Sequence, residues 1–262
     1  MTDYKCLFLD VDGTILTPDN TIQSSTRDAI AQVQNKGVEV FLSTGRPLHE
    51  IDELAKELNI QSFVGYNGAY AKYKGKDLYQ ESMDPEIIEQ FLKIAKEHNH
   101  KAVLFTDSAN FFTEKDSPTV KEFIEVFHLT KNEVYSPQKE RNILGMTLMN
   151  LKETDPELYQ PTPGFHLSQV NIANMLHCYD VIMDKINKGY GIQMVLKHLG
   201  LSKEVAIAFG DGMNDKEMLH SVGEGFAMGN GHPDLFQYAK HRTTAVTDSG
   251  IFNGLKSLGL VE

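Results

Sequence analysis

Short, nearly continuous apolar runs punctuate this chain at residues 6–9, 38–42, 62–66 and 205–209, each closed by glycine or polar turn residues. Such runs are too short for independent helices, and beside turn signals they read as buried strands. Stretches of helical period lie among them. One helix runs to Lys36, with Ala29, Ile30 and Val33 on its apolar side, Ser24 or Ser25 as its cap and Gly37 as its stop. A second is predicted over residues 49–58, where Ile51, Leu54, Ala55 and Leu58 recur at helical spacing. Lys188-Gly189 opens a third, with Ile192, Val195, Leu196 and Leu199 on one face and Gly200 at its end. Strand, helix, strand, helix, strand is the rhythm of a doubly wound α/β fold with a parallel sheet.

The rhythm breaks near Lys72. Residues 70–79 read as a hairpin around Lys74-Gly75-Lys76, and Asp84-Pro85 starts a helix over 86–99. Strand-like runs follow at 102–105, 145–149, 165–170 and 178–182, with a helix over about 119–127 between them. This mixture is large enough to be an α+β domain of its own. We therefore expect a core made of residues 1–82 and 187–262, with residues 83–186 inserted as a second domain. After residues 205–209 the core continues as a short helix to Val222, a strand over 225–228, the loop Gly229-Asn230-Gly231, and then helix, strand and terminal helix.

Composition narrows the function. Among 262 residues, 41% are hydrophobic, enough for a full core. The net charge of −11 weighs against nucleic acid and anionic membranes as partners, because long-range attraction has the wrong sign. A phosphorylated small molecule stays open, since a local site can be positive or hold a metal. The stretch Met1-Thr2-Asp3-Tyr4-Lys5 lacks signal-peptide architecture, and no apolar run approaches the ~20 residues of a membrane helix. Cys6 and Cys178 are the only cysteines, both in apolar stretches. They read as buried free thiols in a reducing cytoplasm.

Four strand ends or helix starts carry chemistry: Asp10 with Asp12, Thr44 with Gly45, Lys188, and Asp211 with Asn214 and Asp215. An aspartate at the tip of an apolar strand is costly unless it meets a cation or a hydrogen-bonding partner. In open α/β sheets, ligands bind beyond the carboxyl ends of the strands where strand order reverses. If the strands bearing Asp10 and Asp211 are neighbours, several carboxylates converge, and like charges so close require a cation. Magnesium suits such oxygen donors together with a substrate phosphate. A hydroxyl, a glycine N–H and a lysine beside it would cradle the phosphate. One carboxylate is then available as nucleophile and another as proton shuttle.

The stretches Asp10-Val11-Asp12-Gly13-Thr14, Ser43-Thr44-Gly45-Arg46, Lys188-Gly189 and Gly210-Asp211-Gly212-Met213-Asn214-Asp215 resemble the four ordered motifs of the haloacid-dehalogenase superfamily. The match is closest to its Cof-like phosphatase branch, whose cap domain lies between the second and third motifs. Tyr66-Asn67-Gly68-Ala69, Ala227-Met228-Gly229-Asn230 and Thr247-Asp248-Ser249-Gly250-Ile251 also resemble that branch, and Gly231 departs from it where many relatives have alanine. The resemblance implies Asp10 as the nucleophile that forms an aspartyl-phosphate and also a metal ligand. It implies Asp12 as general acid/base and metal ligand through its carbonyl. Thr44, Gly45 and Lys188 would hold the phosphate, Lys188 also keeping Asp10 ionised. Asn214 would contact the phosphate or orient the metal shell, while Asp211 and Asp215 would bind magnesium, Asp215 directly or through water.

Plainer roles exist for several of these. Asp215 is also placed to cap a helix, Thr44 to be a strand-end hydroxyl, and Lys188 to be a solvated lysine. Arg46 sits where it can pair with a neighbouring carboxylate, and Asn67 and Asn230 are ordinary turn residues. His166 and His177 read as packing or surface groups, and Phe111, Phe112, Met146 and Met149 as core of the inserted segment. The expectation is a cytoplasmic magnesium-dependent phosphatase of small phosphomonoesters such as sugar phosphates, pyridoxal phosphate or flavin mononucleotide, working as a monomer or weak homodimer. Two alternatives are a phosphomannomutase-like phosphomutase of the same superfamily and a non-catalytic sensor of phosphorylated ligands.

Overall fold

Every residue of the first strand, β1 (Cys6–Leu9), is buried, as a strand covered on both faces must be. The chain continues through α1 (Ser24–Asn35), β2 (Glu39–Ser43), α2 (Asp52–Glu57), β3 (Ser62–Gly65), β4 (Tyr70–Tyr73) and β5 (Lys76–Gln80). Next come α3 (Pro85–Glu97), β6 (Lys101–Phe105), β7 (Asn110–Phe112), α4 (Pro118–Val126), β8 (Asn132–Val134), β9 (Gly145–Met149), β10 (Phe165–Gln169) and β11 (Tyr179–Met183). The chain closes with α5 (Lys188–Leu199), β12 (Ala206–Gly210), α6 (Lys216–His220), β13 (Glu224–Ala227), β14 (His241–Arg242) and α7 (Gly250–Ser257). The computed structural model describes residues 2–137, 142–159, 162–170 and 172–262, so Met1 of the amino-terminal stretch lies outside the described residues. By packing, the chain forms two compact units: Met1–Arg46 with Asp52–Tyr79 and Asn187–Glu262, and Pro47–Ile51 with Gln80–Ile186.

The first unit is a doubly wound α/β sheet in the order β14-β13-β12-β1-β2-β3-β4-β5. Every pair from β14 to β3 is parallel, and β4 turns back antiparallel to β3. Leu7 on β1 faces Ile207 on one side and Val40 on the other. From β1 the chain winds outward through β2 and β3, and later through β12, β13 and β14 on the opposite side. Strand order thus reverses at β1, which sets a ligand site at its carboxyl end. Phe8 and Phe41 stack at 4.8 Å in a core shared with Val64, Ile192, Val195 and Ala208. That burial fixes α5 against the sheet. Asn187 caps α5 by accepting the Tyr190 N–H at 2.9 Å, and Gly200 ends it at φ 65°. Lys188 consequently sits in the first turn of a well-anchored helix.

The second unit is a mixed sheet in the order β10-β11-β9-β6-β7-β8, antiparallel except for the β7–β8 pair. α3 packs Ile88, Phe91 and Ala95 onto Ala102, Leu104, Met146 and Leu148. α4 packs Val120 and Phe123 onto Val103, Phe112 and Met149. Met146, Met149 and Phe112 are core residues, as their spacing suggests, whereas Phe111 is half-buried.

The structure corrects the element predictions in three places. α1 is capped by neither Ser24 nor Ser25; Gln23 holds the cap position without a side-chain cap bond. Long-range partners take these side chains instead: Gln23 bonds Thr247 and Ser249, and Ser25 bonds Ser249. The helix predicted over 49–58 is broken at Ile51, leaving a short turn at Leu48–Glu50 before α2. Glu50 there is pulled into bonds with Asn110 and Thr130, which outweigh local helix propensity. β7 and β8 went unseen because three residues are too few to display an alternating pattern. Both cysteines are buried and free, and burial pushes each thiol up to about 12. No helix among the described residues is long and apolar enough to cross a membrane.

Candidate active site

β1 ends at Leu9, so Asp10 emerges at the carboxyl edge of the central strand, with its N–H bonded to Phe209 O on β12 at 3.0 Å. The same register brings Asp211, which follows β12, beside it. Lys188 reaches in from the start of α5. Its Nζ donates to Asp10 Oδ1 at 2.5 Å and to Asp215 Oδ1 at 2.6 Å, and the lysine is only 1% exposed. Asp215 Oδ2 accepts the backbone N–H groups of Asp211 and Gly212, each at 3.0 Å. Asp215 therefore ties the loop after β12 to the lysine as well as standing at a helix start. At the start of α6 Asp215 occupies the cap position without a side-chain cap bond, because its oxygens are taken by Lys188 and by the N–H groups of Asp211 and Gly212.

The loop after β1 closes the other side. Thr14 Oγ1 donates to Asp211 Oδ1 at 3.1 Å. Gly13 has φ +77°, and a Cβ there would lie 2.3 Å from Asp211 Oδ2, so both conformation and space require glycine. Asn230 moors this loop by donating from Nδ2 to Gly13 O at 2.8 Å while its Oδ1 accepts the Val246 N–H at 2.7 Å. The Asp12 carboxylate does not join the buried acids. Arg46 grips both of its oxygens, Nε to Oδ2 at 2.9 Å and an Nη to Oδ1 at 2.5 Å. The neighbouring carboxylate that Arg46 was expected to find is thus Asp12 itself.

Thr44 is buried at the end of β2, and its Oγ1 accepts the Arg46 N–H at 3.0 Å, which leaves the hydroxyl proton available to donate. Gly45 is exposed next to it. Asn67, in a left-handed turn at φ 52°, donates its N–H to Thr44 O at 3.1 Å, and its side chain lies against Gly45. Asn214 is exposed in the short helical turn Met213–Asp215 after β12, and its Oδ1 fills the space that a Cβ on Gly212 would take. Thr14 thus joins the site alongside the residues named from the sequence. The signal for it was present, a hydroxyl directly after the Asp-Gly turn. His166 is an exposed group paired with Asp184 at 2.6 Å.

Electrostatics follow from this packing. Burial pushes the Asp10 carboxyl well above the usual carboxylate range, and Asp215 adds to the rise against the opposing pull of Lys188. Burial likewise raises Asp211 to about 6, with Asp215 adding and the Thr14 hydroxyl opposing. Burial alone would lower Lys188, but Asp10 and Asp215 outweigh it and hold the ammonium charged. Ligand oxygens of Asp10, Asp211 and Asp215 lie within 4.8 Å of one another. Three carboxylates facing one ammonium leave an excess of negative charge in a nearly dry site. A hard divalent cation with oxygen ligands fits that donor set and would relieve the repulsion that raises Asp10 and Asp211.

Comparison with known proteins places this geometry. A model of the haloacid dehalogenase-like hydrolases matches residues 7–255. YkrA of Bacillus subtilis is 32% identical over 260 residues, spanning 99% of this chain and 100% of that protein. The 5-amino-6-(5-phospho-D-ribitylamino)uracil phosphatase YitU of Bacillus subtilis is 28% identical and covers 95% of each chain. A hypothetical protein from Geobacillus kaustophilus, known by crystal structure, superposes with a TM-score of 0.90 at 30% identity, over 98% of this chain and 100% of that one. Asp10, Lys188, Asp211 and Asp215 meet on a doubly wound sheet, and the family model spans nearly the whole chain. The chain belongs to the haloacid dehalogenase-like hydrolase family.

Proposed function

We propose that this protein is a magnesium-dependent phosphatase that hydrolyses small phosphomonoesters through an aspartyl-phosphate on Asp10. The observation that carries the reading is the meeting of Asp10, Asp211, Asp215 and Lys188 beyond the carboxyl ends of adjacent parallel strands, where strand order reverses. All the residues assigned to chemistry belong to one compact unit. The inserted unit is assigned the role of a cap that selects the substrate.

The chemistry divides among the side chains as follows. Lys188 grips one oxygen of Asp10, fixes its rotation and favours the carboxylate, the form needed for attack. An Asp10 oxygen attacks phosphorus, an O–P bond forms, and the bond to the leaving oxygen breaks. Asp12 gives its proton to that oxygen. In the second half a water loses its proton to Asp12 and attacks phosphorus, breaking the Asp10 O–P bond and releasing inorganic phosphate. The hydroxyl of Thr44 and the N–H of Gly45 would donate to the phosphoryl oxygens, with Asn214 as a further donor. Asp10, Asp211 and Asp215, with the Asp12 carbonyl, would hold magnesium, which when bound neutralises phosphoryl charge. The ribityl phosphate named for YitU supports a small polyhydroxylated phosphomonoester as substrate.

The test is phosphate release from a panel of sugar phosphates, pyridoxal phosphate, flavin mononucleotide and ribityl phosphates, with magnesium and then with EDTA. Turnover that needs the metal and ranks the panel supports the reading. Isomerisation of hexose phosphates without net phosphate release would contradict it.

A further inference from the structure

We infer that Arg46 is a positioning residue for Asp12, and that its guanidinium fork, rather than its charge alone, sets the place from which Asp12 exchanges protons. This rests on the proposed role of Asp12 as acid and base. Three observations carry it. Arg46 reaches both oxygens of Asp12 at 2.9 and 2.5 Å, a bidentate geometry that fixes the plane of a carboxylate as a single contact does not. The pair is open to water, with side chains 40% and 54% exposed, and such pairs contribute little to stability.

The third observation is that the arginine is itself held in place. Its N–H is bonded to Thr44 Oγ1 at 3.0 Å, so one short turn links the threonine to the clamp on Asp12. An arginine whose own backbone is tied to Thr44 returns the carboxylate to one place after each proton transfer. Free rotation of Asp12 about its side-chain bonds would instead spread its oxygens over several positions, and misplacement on the ångström scale is expensive in rate.

The experiment is a kinetic double-mutant cycle on the magnesium-loaded enzyme, using the best substrate of the panel. The single variants are Arg46→Ala, Arg46→Lys and Asp12→Asn, and the double variant joins Arg46→Ala to Asp12→Asn. Arg46→Ala should lower kcat by about 10- to 100-fold with KM within about threefold, the signature of lost orientation. Arg46→Lys should not restore the rate, because an ammonium cannot form the fork, whereas added guanidinium should partly restore Arg46→Ala. With Asp12→Asn already present, removing Arg46 should cost nothing further. A raised KM with kcat intact would make Arg46 a substrate-binding group and overturn the inference, as would equal losses in both backgrounds or no loss at all. Full activity of Asp12→Asn would instead sink the acid/base reading of Asp12, which separates the two failures.

Discussion

Two cation–aspartate pairs stand at this site, and their surroundings differ completely. Lys188 and Asp10 have side chains 1% and 9% exposed, and Asp215 closes the same lysine from the other side at 1% exposure. Arg46 and Asp12 are 40% and 54% exposed. The chemistry of the partners is similar, so the contrast isolates the role of the medium. Removing charges from water is costly, and a buried pair persists only when each group keeps its partner. Such a cluster is a fixed piece of charge geometry, which suits the nucleophile role proposed for Asp10. The exposed pair stays in contact with water, which suits the acid and base role proposed for Asp12. The two aspartates of Asp10-Val11-Asp12 lie two residues apart, and the turn at Gly13 is what sends them into these different media.

The largest effect should come from breaking the buried cluster. Lys188→Met keeps much of the volume but leaves Asp10 and Asp215 without their cation. We expect loss of turnover and about 3–5 kcal/mol of stability in the metal-free protein by urea denaturation. A cost below about 1 kcal/mol would show that the acids relax into solvent, and the contrast with the exposed pair would collapse.

Next in size is the pH response of Asp211. Its carboxyl is raised from 3.8 to about 6 in the fold, so the folded state disfavours the charged form. The stability associated with this group is present below about pH 4 and is lost as the pH rises through about 6. Asp211→Asn removes the loss. In metal-free protein the variant should match the wild type near pH 4 and exceed it at pH 7 by on the order of 2–3 kcal/mol, read from denaturation curves. Added magnesium should reverse the order at pH 7, because metal stabilises only the protein that binds it. A variant less stable than the wild type at pH 7 without metal would remove the like-charge account of the site.

The smallest effect is the stability of the exposed pair. Arg46→Ala should cost no more than about 1 kcal/mol, despite its kinetic penalty. A loss as large as that of Lys188→Met would make the pair structural and erase the distinction between the two regions.

Much of this was legible in the sequence, for reasons that differ by element. β1 and β12 announce themselves as unbroken apolar runs because both faces of a central parallel strand are covered. The acids were legible because the runs end in Asp10 and Asp211, at the only edge where a doubly wound sheet offers a site. Long-range side-chain traffic was not legible. No local pattern tells that Gln23 serves Thr247 rather than its own helix, or that Glu50 is drawn to Thr130 and breaks the helix expected there. Thr14 and Arg46 fall in the same class. Their partners Asp211 and Asp12 lie 197 and 34 residues away, and only the folded chain shows which carboxylate each one meets.

The central claim is that Asp10 carries the phosphoryl group. The direct measurement is phosphate release by wild type and Asp10→Asn, with magnesium, on the best substrate of the panel, alongside thermal melting to show that the variant is folded. The account predicts a folded variant with no turnover above background, since an amide oxygen is too weak a nucleophile to accept the phosphoryl group. A folded Asp10→Asn protein that releases phosphate at a rate near that of the wild type would contradict it.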